Sequence, residues 1–238
     1  GAKQYWGELR ASIEELGKYA ALLQKPIVPE PLAGGGTITW SGEGSAKGHS
    51  GKFSARLREL RTLGATGSRI HPLRADLEGV YAPGSLHFSQ FALSDEATAF
   101  IANVAVVDRT VTLQDLKLTH GDKVWLEGDA VLPLDLRRAW PETALSTLLA
   151  GDVPGKLNLT AHALQLREAS RLTGWKWPIE GVVNGSLQAE GVIGQLKTSG
   201  EVTLRDARIP LNGSGELTDV SGDFVFAGQN IEIRKFAC

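Results

Sequence analysis

The sequence has few of the residues that build disulfide frameworks, metal sites and membrane spans. Its 238 residues include one cysteine, Cys238, which excludes an internal disulfide and a cysteine-based metal site. It has no run of 18 apolar residues, which excludes a transmembrane helix inside it. Methionine is absent, even at position 1. We therefore interpret the chain as an excised piece of a longer protein whose first two residues are a cloning scar.

The chain also has no large excess of positive or negative charge. The chain has 25 Lys and Arg residues against 27 Asp and Glu residues, which gives a net charge of −2. Such a chain has no strong field to attract nucleic acid, so we expect no nucleic-acid partner. The hydrophobic content of 42% is typical of a folded chain, whereas 28 glycines and 10 prolines are more than a helical protein tolerates.

Alternation of apolar and polar residues is the main pattern in the chain. In "GSLQAEGVIGQLKTSGEVTLRDARIPL" (185–211), Leu187 and Val202 fall on one face of a strand and Glu201 on the other. A glycine-containing bend at 191–195 joins the two strands of this segment, and turn signals at 82–84, 94–96 and 120–122 separate other strands. Roughly fourteen to eighteen such strands of about five to eight residues follow one another, with connections too short for parallel crossovers. We therefore predict a mainly β fold with an antiparallel sheet.

Three segments favour helix instead. Apolar residues recur at spacings of three and four over 3–25, which predicts an amphipathic helix that ends at Pro26. The second segment is 135–150, and the third is a short helical turn over Leu166–Thr173. The predicted organisation is an N-terminal helix with a proline-rich linker (1–33), a β segment (34–134), a helical insertion (135–156) and a second β segment (157–238).

A sheet with one apolar face must bury that face. About fifteen strands at about 4.8 Å spacing would be some 70 Å wide, so we expect the sheet to curl into a U-shaped groove. Many inward positions are small, which would leave room in the groove for an acyl chain. The other interpretation is that small residues accommodate bulky side chains opposite them. The small positions are Ala55, Ala75, Gly79, Ala105, Ala130, Ala161, Ala189, Gly200 and Ala207.

The C-terminal third resembles a repeat of the TamB family, the inner-membrane component of the translocation and assembly module. The resemblance covers "GEVTLRDARIPLNGSGELTDVSGDFVFAGQNIEIRKF" (200–236), and it includes the segment Asp206-Ala207-Arg208-Ile209. The segment 178–200 resembles the preceding part of the family pattern, although Gln195-Leu196 stands where proline is frequent. Over 36–150 only the rhythm of strands and turns is similar.

This resemblance implies a function without catalysis. TamB is similar to other AsmA-like bridge-type lipid transfer proteins, which form a β-rich groove called a β-taco. The family implies a periplasmic protein of a diderm bacterium, anchored to the inner membrane by a segment outside this fragment. It also implies phospholipid acyl chains as ligand, transport between the inner and outer membranes, and a TamA-like Omp85 partner that supports outer-membrane protein assembly. No catalytic residue, cofactor or metal ion is implied.

Several local motifs in the sequence do not predict a metal, phosphate or glycosylation site. The five histidines lack metal-ligand spacing, and "GEGSAKG" (42–48) lacks the order of a phosphate loop and is interpreted as a turn. Asn184-Gly-Ser186 and Asn212-Gly-Ser214 fit the glycosylation triplet but are interpreted as hairpin turns. Trp175 and Trp177 would face the same way on a strand, either in a core or as a sugar platform or groove rim.

We therefore predict a non-enzymatic segment that shields acyl chains in an apolar groove. The alternative is a structural or adhesive β-solenoid with a filled core, and a carbohydrate-active β-helix enzyme is a more distant third. The residues predicted to line the groove are Ile38, Trp40, Phe53, Leu57, Leu187, Val202, Leu204, Phe224, Phe226, Ile231 and Ile233.

Overall fold

A computed structural model describes residues 4–16, 18, 32–45, 48–62, 72–135, 148–173, 180–210 and 215–238. These residues form thirteen antiparallel strands and one helix. The elements are β1 (Tyr5–Ile13), β2 (Leu32–Ser45), β3 (Gly48–Thr62), β4 (Leu73–Ala82), β5 (Ser85–Ser94), β6 (Thr98–Val107), β7 (Thr110–His120), β8 (Lys123–Leu132), β9 (Gly155–Gln165), α1 (Leu166–Thr173), β10 (Glu180–Gly191), β11 (Lys197–Pro210), β12 (Glu216–Gly228) and β13 (Asn230–Ala237).

The sheet has the simplest possible topology, because each strand pairs with its neighbours in sequence. Pairing of β8 with β9 joins the two predicted β segments into one sheet. The mainly β, antiparallel fold is therefore confirmed, as are the predicted turns after Ala82, Ser94 and His120 and the bend at 192–195. The predicted strands were too short, since most span ten residues or more. No helix in the described part of the chain is long and apolar enough to cross a membrane.

The predicted N-terminal helix is wrong over 5–13, where the structure has β1. Tyr5, Leu9 and Ile13 are four residues apart, and that spacing fits both a helix face and alternate positions of a strand. Backbone N–H and C=O groups on this edge of β2 need hydrogen-bond partners. The segment therefore forms a strand, because β1 pairs with β2 along its whole length. Residues 14–16 and 18 are also described and are not in an α-helix, whereas 3, 17 and 19–25 lie outside the described residues.

The other two helical predictions have different outcomes. The helical turn over Leu166–Thr173 is confirmed as α1. The centre of the predicted insertion, 136–147, lies outside the described residues. Its two ends meet, because the Asp135 amide donates to the Leu148 carbonyl at 2.8 Å and the Ala150 amide donates to the Pro133 carbonyl at 2.7 Å. Leu148 and Ala150 are buried there.

Bulges bend the strands of this sheet. Every strand pair except β1–β2 and β8–β9 contains a register shift. At several shifts a residue other than glycine has a positive φ, including Asp115 (52°), Asp206 (50°) and Asp219 (55°). The next residue points inward: Ala207 and Val220 are 0% exposed. Bulges increase local twist and bend a strand, so bulges in so many strand pairs curve the sheet.

The bulge at Asp206 gives a test of this account. Asp206→Val should lower the free energy of unfolding by about 1–2 kcal/mol, because a branched side chain is disfavoured at positive φ. Asp206→Gly is the matched control and should change it by only a few tenths of a kcal/mol. Chemical denaturation of both variants measures the difference. Equal losses would mean that the carboxylate, and not the backbone conformation, is what the site needs.

Candidate functional site: the apolar face of the sheet

Strand register aligns apolar side chains into rows that cross the sheet. Directly paired residues of antiparallel strands point to the same side. One row, the central row, crosses all thirteen strands, and its members are all apolar or glycine. They are Ile13, Gly36, Leu57, Ala75, Leu93, Phe100, Leu118, Leu126, Ala161, Gly185, Val202, Phe224 and Ile233.

A second row lies four residues from the central row on most strands and five residues from it on β5 and β7, and we call it the aromatic row. It crosses β1 to β12, and Thr198 is its one polar member. It consists of Leu9, Trp40, Phe53, Gly79, Phe88, Val104, Leu113, Ala130, Leu157, Ala189, Thr198 and Gly228. The two rows and the positions between them form the apolar face. The opposite, outer face carries residues such as Lys197, Glu201 and Thr203.

All eleven residues predicted to line a groove lie on the apolar face. Trp40 and Phe53 belong to the aromatic row, and Leu57, Val202, Phe224 and Ile233 to the central row. Ile38, Leu187, Phe226 and Ile231 occupy positions between the rows. Leu204 lies one step beyond the central row, opposite Val183 and Gly222. Their role as a lining stays a prediction.

Most large side chains on this face are only partly covered. Among the eleven predicted residues, nine are partly buried, whereas Ile231 and Ile233 on β13 are 61% and 58% exposed. The phenylalanines of the aromatic row are also partly buried. The main backbone contacts between elements join neighbouring strands, or join α1 to β9 and β10. In the part of the chain that the structure describes, no second sheet therefore covers the apolar face.

Small residues on this face accommodate their neighbours. A Cβ on Gly79 would lie 2.9 Å from the Phe53 ring, and one on Gly222 would lie 2.7 Å from the Phe224 ring. A Cβ on Gly200 would lie 2.1 Å from the Ser186 carbonyl oxygen. The second interpretation of the small residues is therefore correct at Gly79, whereas the backbone of the neighbouring strand, and not a bulky side chain, confines Gly200. Ala105 was placed on the wrong face, because it pairs with His87 and Thr112 in a row on the outer face. These three glycines therefore leave no open space beside them.

A ladder of aromatic rings runs diagonally over the first half of the face. Phe53 contacts Phe88 edge to face with ring centroids 5.3 Å apart, Phe88 contacts Phe91 at 5.5 Å, and Phe91 contacts Phe100 at 6.2 Å. Edge-to-face packing is the arrangement that aromatic quadrupoles favour. Phe88, Phe91 and Phe100 were not among the residues predicted to line the groove. Their alternation was visible, but only the register shows that they face Phe53.

An aromatic cluster with hydrogen bonds lies at one corner of the apolar face. Trp40 Nε1 donates to Tyr81 Oη at 2.8 Å, and Tyr81 Oη lies 2.5 Å from His49 Nδ1. The His49 ring stacks between Tyr5 and Trp40, at 5.7 and 5.4 Å. Gly42, two residues further along β2, leaves room for the Trp40 ring. Rings with one polar atom suit a boundary between apolar surface and water, so this cluster, which sequence reasoning missed, marks a polar rim.

The other end of the apolar face is filled. The helix α1 places Leu166 and Ala169 against Trp125, together with Leu73 from β4 and Leu164 from β9. Trp125 is 4% exposed, and the His120 ring stacks on it with centroids 4.4 Å apart. Side chains from strands as distant in the sheet as β4 and β9 thus share one core. Such a contact requires the sheet to be strongly curved.

Open depressions lie at the margins of the sheet. One of about 780 Å³ adjoins Leu157, Ala189 and Thr198 of the aromatic row, together with the charged Lys156 and Lys197. Another, of about 380 Å³, adjoins the aromatic cluster through Tyr5 and His49. Both bring apolar surface together with polar groups.

Neither a metal site among the described residues nor a match to a known protein indicates the function of the apolar face. Among the described residues, no group of three or more His, Cys, Asp or Glu could hold a metal ion. Trp175 and Trp177 lie outside the described residues, so their predicted roles stay predictions. Comparison with known proteins found no family model, no curated protein and no solved structure that matches this chain.

Proposed function

We propose that this chain is a β-groove segment that shields phospholipid acyl chains from water and has no catalytic role. The observation that carries the proposal is the apolar face, most of whose large side chains stay partly exposed along rows twelve or thirteen strands long. Leaving so much apolar surface in water is unfavourable, at about 25 cal/mol per Å². A bound hydrocarbon would cover it, with about 0.8 kcal/mol gained per buried methylene.

The curvature supports a groove in preference to a flat platform. Bulged strands bend, and the core around Trp125 joins β4 to β9 across the intervening strands. A sheet curved toward its apolar side forms a furrow that acyl tails can occupy. The aromatic cluster of Trp40, His49 and Tyr81 would then lie at the rim, where a tail ends and a polar head group meets water.

The cellular setting follows from the resemblance to TamB alone. It comprises a periplasmic location, an inner-membrane anchor elsewhere in the protein, lipid movement toward the outer membrane, and a TamA-like partner. The bulge at Asp206-Ala207 lies within the segment that carries this resemblance. A curved sheet needs such a bulge, which gives that part of the pattern a physical reason.

A filled scaffold is the second candidate, and the core around Trp125 favours it. There the side chains of α1 occupy the apolar face, as they would throughout a solid β-solenoid. The two candidates differ in what covers the aromatic ladder. Native mass spectrometry of the protein purified from cells distinguishes them, because co-purifying phospholipid supports the groove. A lipid-free protein that also fails to take up a fluorescent phospholipid from vesicles would support the scaffold.

A charge on the apolar face should abolish lipid uptake. Val202 lies between Gly185 and Phe224 in the central row, and Val202→Asp would leave a carboxylate beside any bound tail. We expect uptake of fluorescent phospholipid to fall at least about tenfold, because an unpaired charge in an apolar site costs several kcal/mol. Phe224→Asp should act in the same way.

The outer face offers a matched control. Val80 is a strand valine that is 45% exposed, and it pairs with Lys52 and His87 on the outer face. Val80→Asp should leave lipid uptake unchanged. Thermal unfolding of both variants completes the comparison. If Val202→Asp unfolds the protein to the extent that it loses lipid, Val202 belongs to a solid core and the groove is wrong.

A further inference from the structure

The turn between β10 and β11 is unusually apolar. It comprises residues 192–196, which include Val192, Ile193 and Leu196. Ile193 and Leu196 are 42% and 39% exposed. None of the other strand-to-strand turns that the structure describes in full contains valine, isoleucine or leucine. Turns usually consist of polar residues and glycine, so a cluster of apolar side chains in one of them indicates contact with another surface.

The tip of this turn stands clear of the sheet. The Gln195 amide donates a hydrogen bond to the Val192 carbonyl at 2.9 Å, which closes the turn. Gly194 follows Ile193 and has φ +90°. Apart from its two neighbours in the chain, a Cβ at Gly194 would meet no atom of the described residues within 4 Å. The apolar tip is therefore accessible to a surface outside the described chain.

Two lysines lie beside the turn. Lys197 begins β11 and Lys156 lies on β9, and both pair with Glu190 near the end of β10. All three residues line the depression of about 780 Å³, together with Gln195 of the turn. Among the described residues, neither lysine ammonium group lies within 4 Å of a carboxylate, and both side chains are exposed. Two lysines against one glutamate leave a local excess of positive charge beside the apolar turn.

Other exposed apolar side chains lie at the same margin of the sheet. Because consecutive strands are antiparallel neighbours, all even-numbered strands end at one margin. Val107 ends β6 and is 38% exposed, and Leu149 lies in the connection after β8 and is 41% exposed. The opposite margin holds the core around Trp125, and the turn after β5 there carries Asp95 and Glu96. The two margins therefore differ in the surface that they can contact.

We propose that the β10–β11 turn docks this chain on the surface of an anionic phospholipid bilayer. Ile193 and Leu196 enter the boundary between head groups and acyl chains, and Lys156 and Lys197 contact lipid phosphates. Apolar side chains bordered by lysines suit this boundary, since a lysine stem lies along apolar surface while its ammonium group stays with the phosphates. The proposal goes beyond the groove and does not depend on it, because a filled scaffold could dock in the same way.

Co-sedimentation with vesicles tests the docking. The protein should bind vesicles of equal parts phosphatidylglycerol and phosphatidylcholine more tightly than vesicles of phosphatidylcholine alone, and added salt should reduce the difference. Lys156→Gln and Lys197→Gln should each weaken binding to the anionic vesicles about fivefold. Ile193→Ser combined with Leu196→Ser should weaken it at least about tenfold, because two apolar side chains no longer leave water.

Ile101 and Lys117 supply the matched control. They are paired on the outer face, away from the turn, and Ile101 is 47% exposed. Ile101→Ser combined with Lys117→Gln should leave vesicle binding unchanged. Glu190→Gln should bind the anionic vesicles several-fold more tightly, because it removes a negative charge that opposes the lipid phosphates.

A fluorophore measures insertion of the turn directly. The background carries Cys238→Ser, because the exposed thiol would also be labelled. An environment-sensitive fluorophore attached to Ile193→Cys should shift its emission to the blue on addition of the anionic vesicles, whereas one attached to Ile101→Cys should not.

Docking and lipid uptake are separable in these measurements. Val202→Asp should still bind the anionic vesicles, although it is expected to lose lipid uptake. A protein that takes up lipid without binding vesicles through the turn would overturn the docking and leave the groove intact. No binding to the anionic vesicles, an equal loss in the Ile101 and Lys117 control, or no blue shift at position 193 would each overturn the docking proposal.

Discussion

Replacement of Gly200 by valine is expected to lower the free energy of unfolding by more than about 3 kcal/mol. Gly200 is the fourth residue of β11 and has φ +129°, a conformation that residues with a Cβ rarely adopt. A Cβ there would lie 2.1 Å from the Ser186 carbonyl oxygen of β10. Backbone cannot move aside as a flexible side chain can, so β10 and β11 would have to separate. Strain and lost ladder hydrogen bonds then add together.

Thermal unfolding and chemical denaturation measure this effect. A loss of 3 kcal/mol corresponds to a fall in Tm of about 10 °C for a domain of this size. Gly151→Ala is the control, because nothing lies within 4 Å of a Cβ at that position and its φ is not positive. It should change stability by less than about 0.5 kcal/mol. A Gly200→Val variant as stable as the control would mean that β10 and β11 do not approach each other as described.

The sequence predicts the fold class because burial with a period of two is a local signal. The alternation around Val202 and the turns after Ala82 and His120 need only a few neighbouring residues to be recognised. The short helix α1 is equally local, since Leu166 and Ala169 are three residues apart and both are buried. Antiparallel pairing then follows from short connections.

The error at β1 arises where a local pattern has two meanings. The four-residue spacing of Tyr5, Leu9 and Ile13 fits a helix and a strand equally, and Gly7 and Ala11 lie midway between those residues. The deciding interaction is non-local, because β2 presents free backbone groups more than twenty residues away in sequence. No window of local sequence contains that partner.

The error at Asn184 has a related cause. Asn-Gly is a strong hairpin signal, yet Asn184-Gly185 lies inside β10. There the Asn184 side chain accepts a hydrogen bond from the Ala163 amide at 2.6 Å, beside the bulge at Ala163 with φ 50°. Gly185 has φ +126°. The residues that permit a tight turn therefore also permit a bulge, and the local sequence does not distinguish the two.

The sequence predicted which side of each strand is apolar, but not which residues of neighbouring strands lie side by side. Alternation assigns Val202 and Phe224 to the inward side of their own strands. It does not say which residue of the next strand lies beside them, since each bulge shifts the register. The aromatic cluster consists of one residue from each of the strands β1 to β4, namely Tyr5, Trp40, His49 and Tyr81. No spacing in the sequence indicates it. A site whose residues come from several paired strands can therefore be predicted only once the pairing of those strands is known.

The Trp125→Ala substitution is expected to cost about 3–5 kcal/mol of unfolding free energy. The side chain is 4% exposed and packs with Leu118, Leu164 and Leu166, so its removal leaves a large cavity beneath α1. Trp6→Ala is the control, since Trp6 is 79% exposed. Tryptophan fluorescence and hydrogen exchange of α1 and β9 measure the loss locally. If α1 keeps its protection in Trp125→Ala, this core does not hold the curved sheet together, and a groove shaped by bulges alone would be the better account.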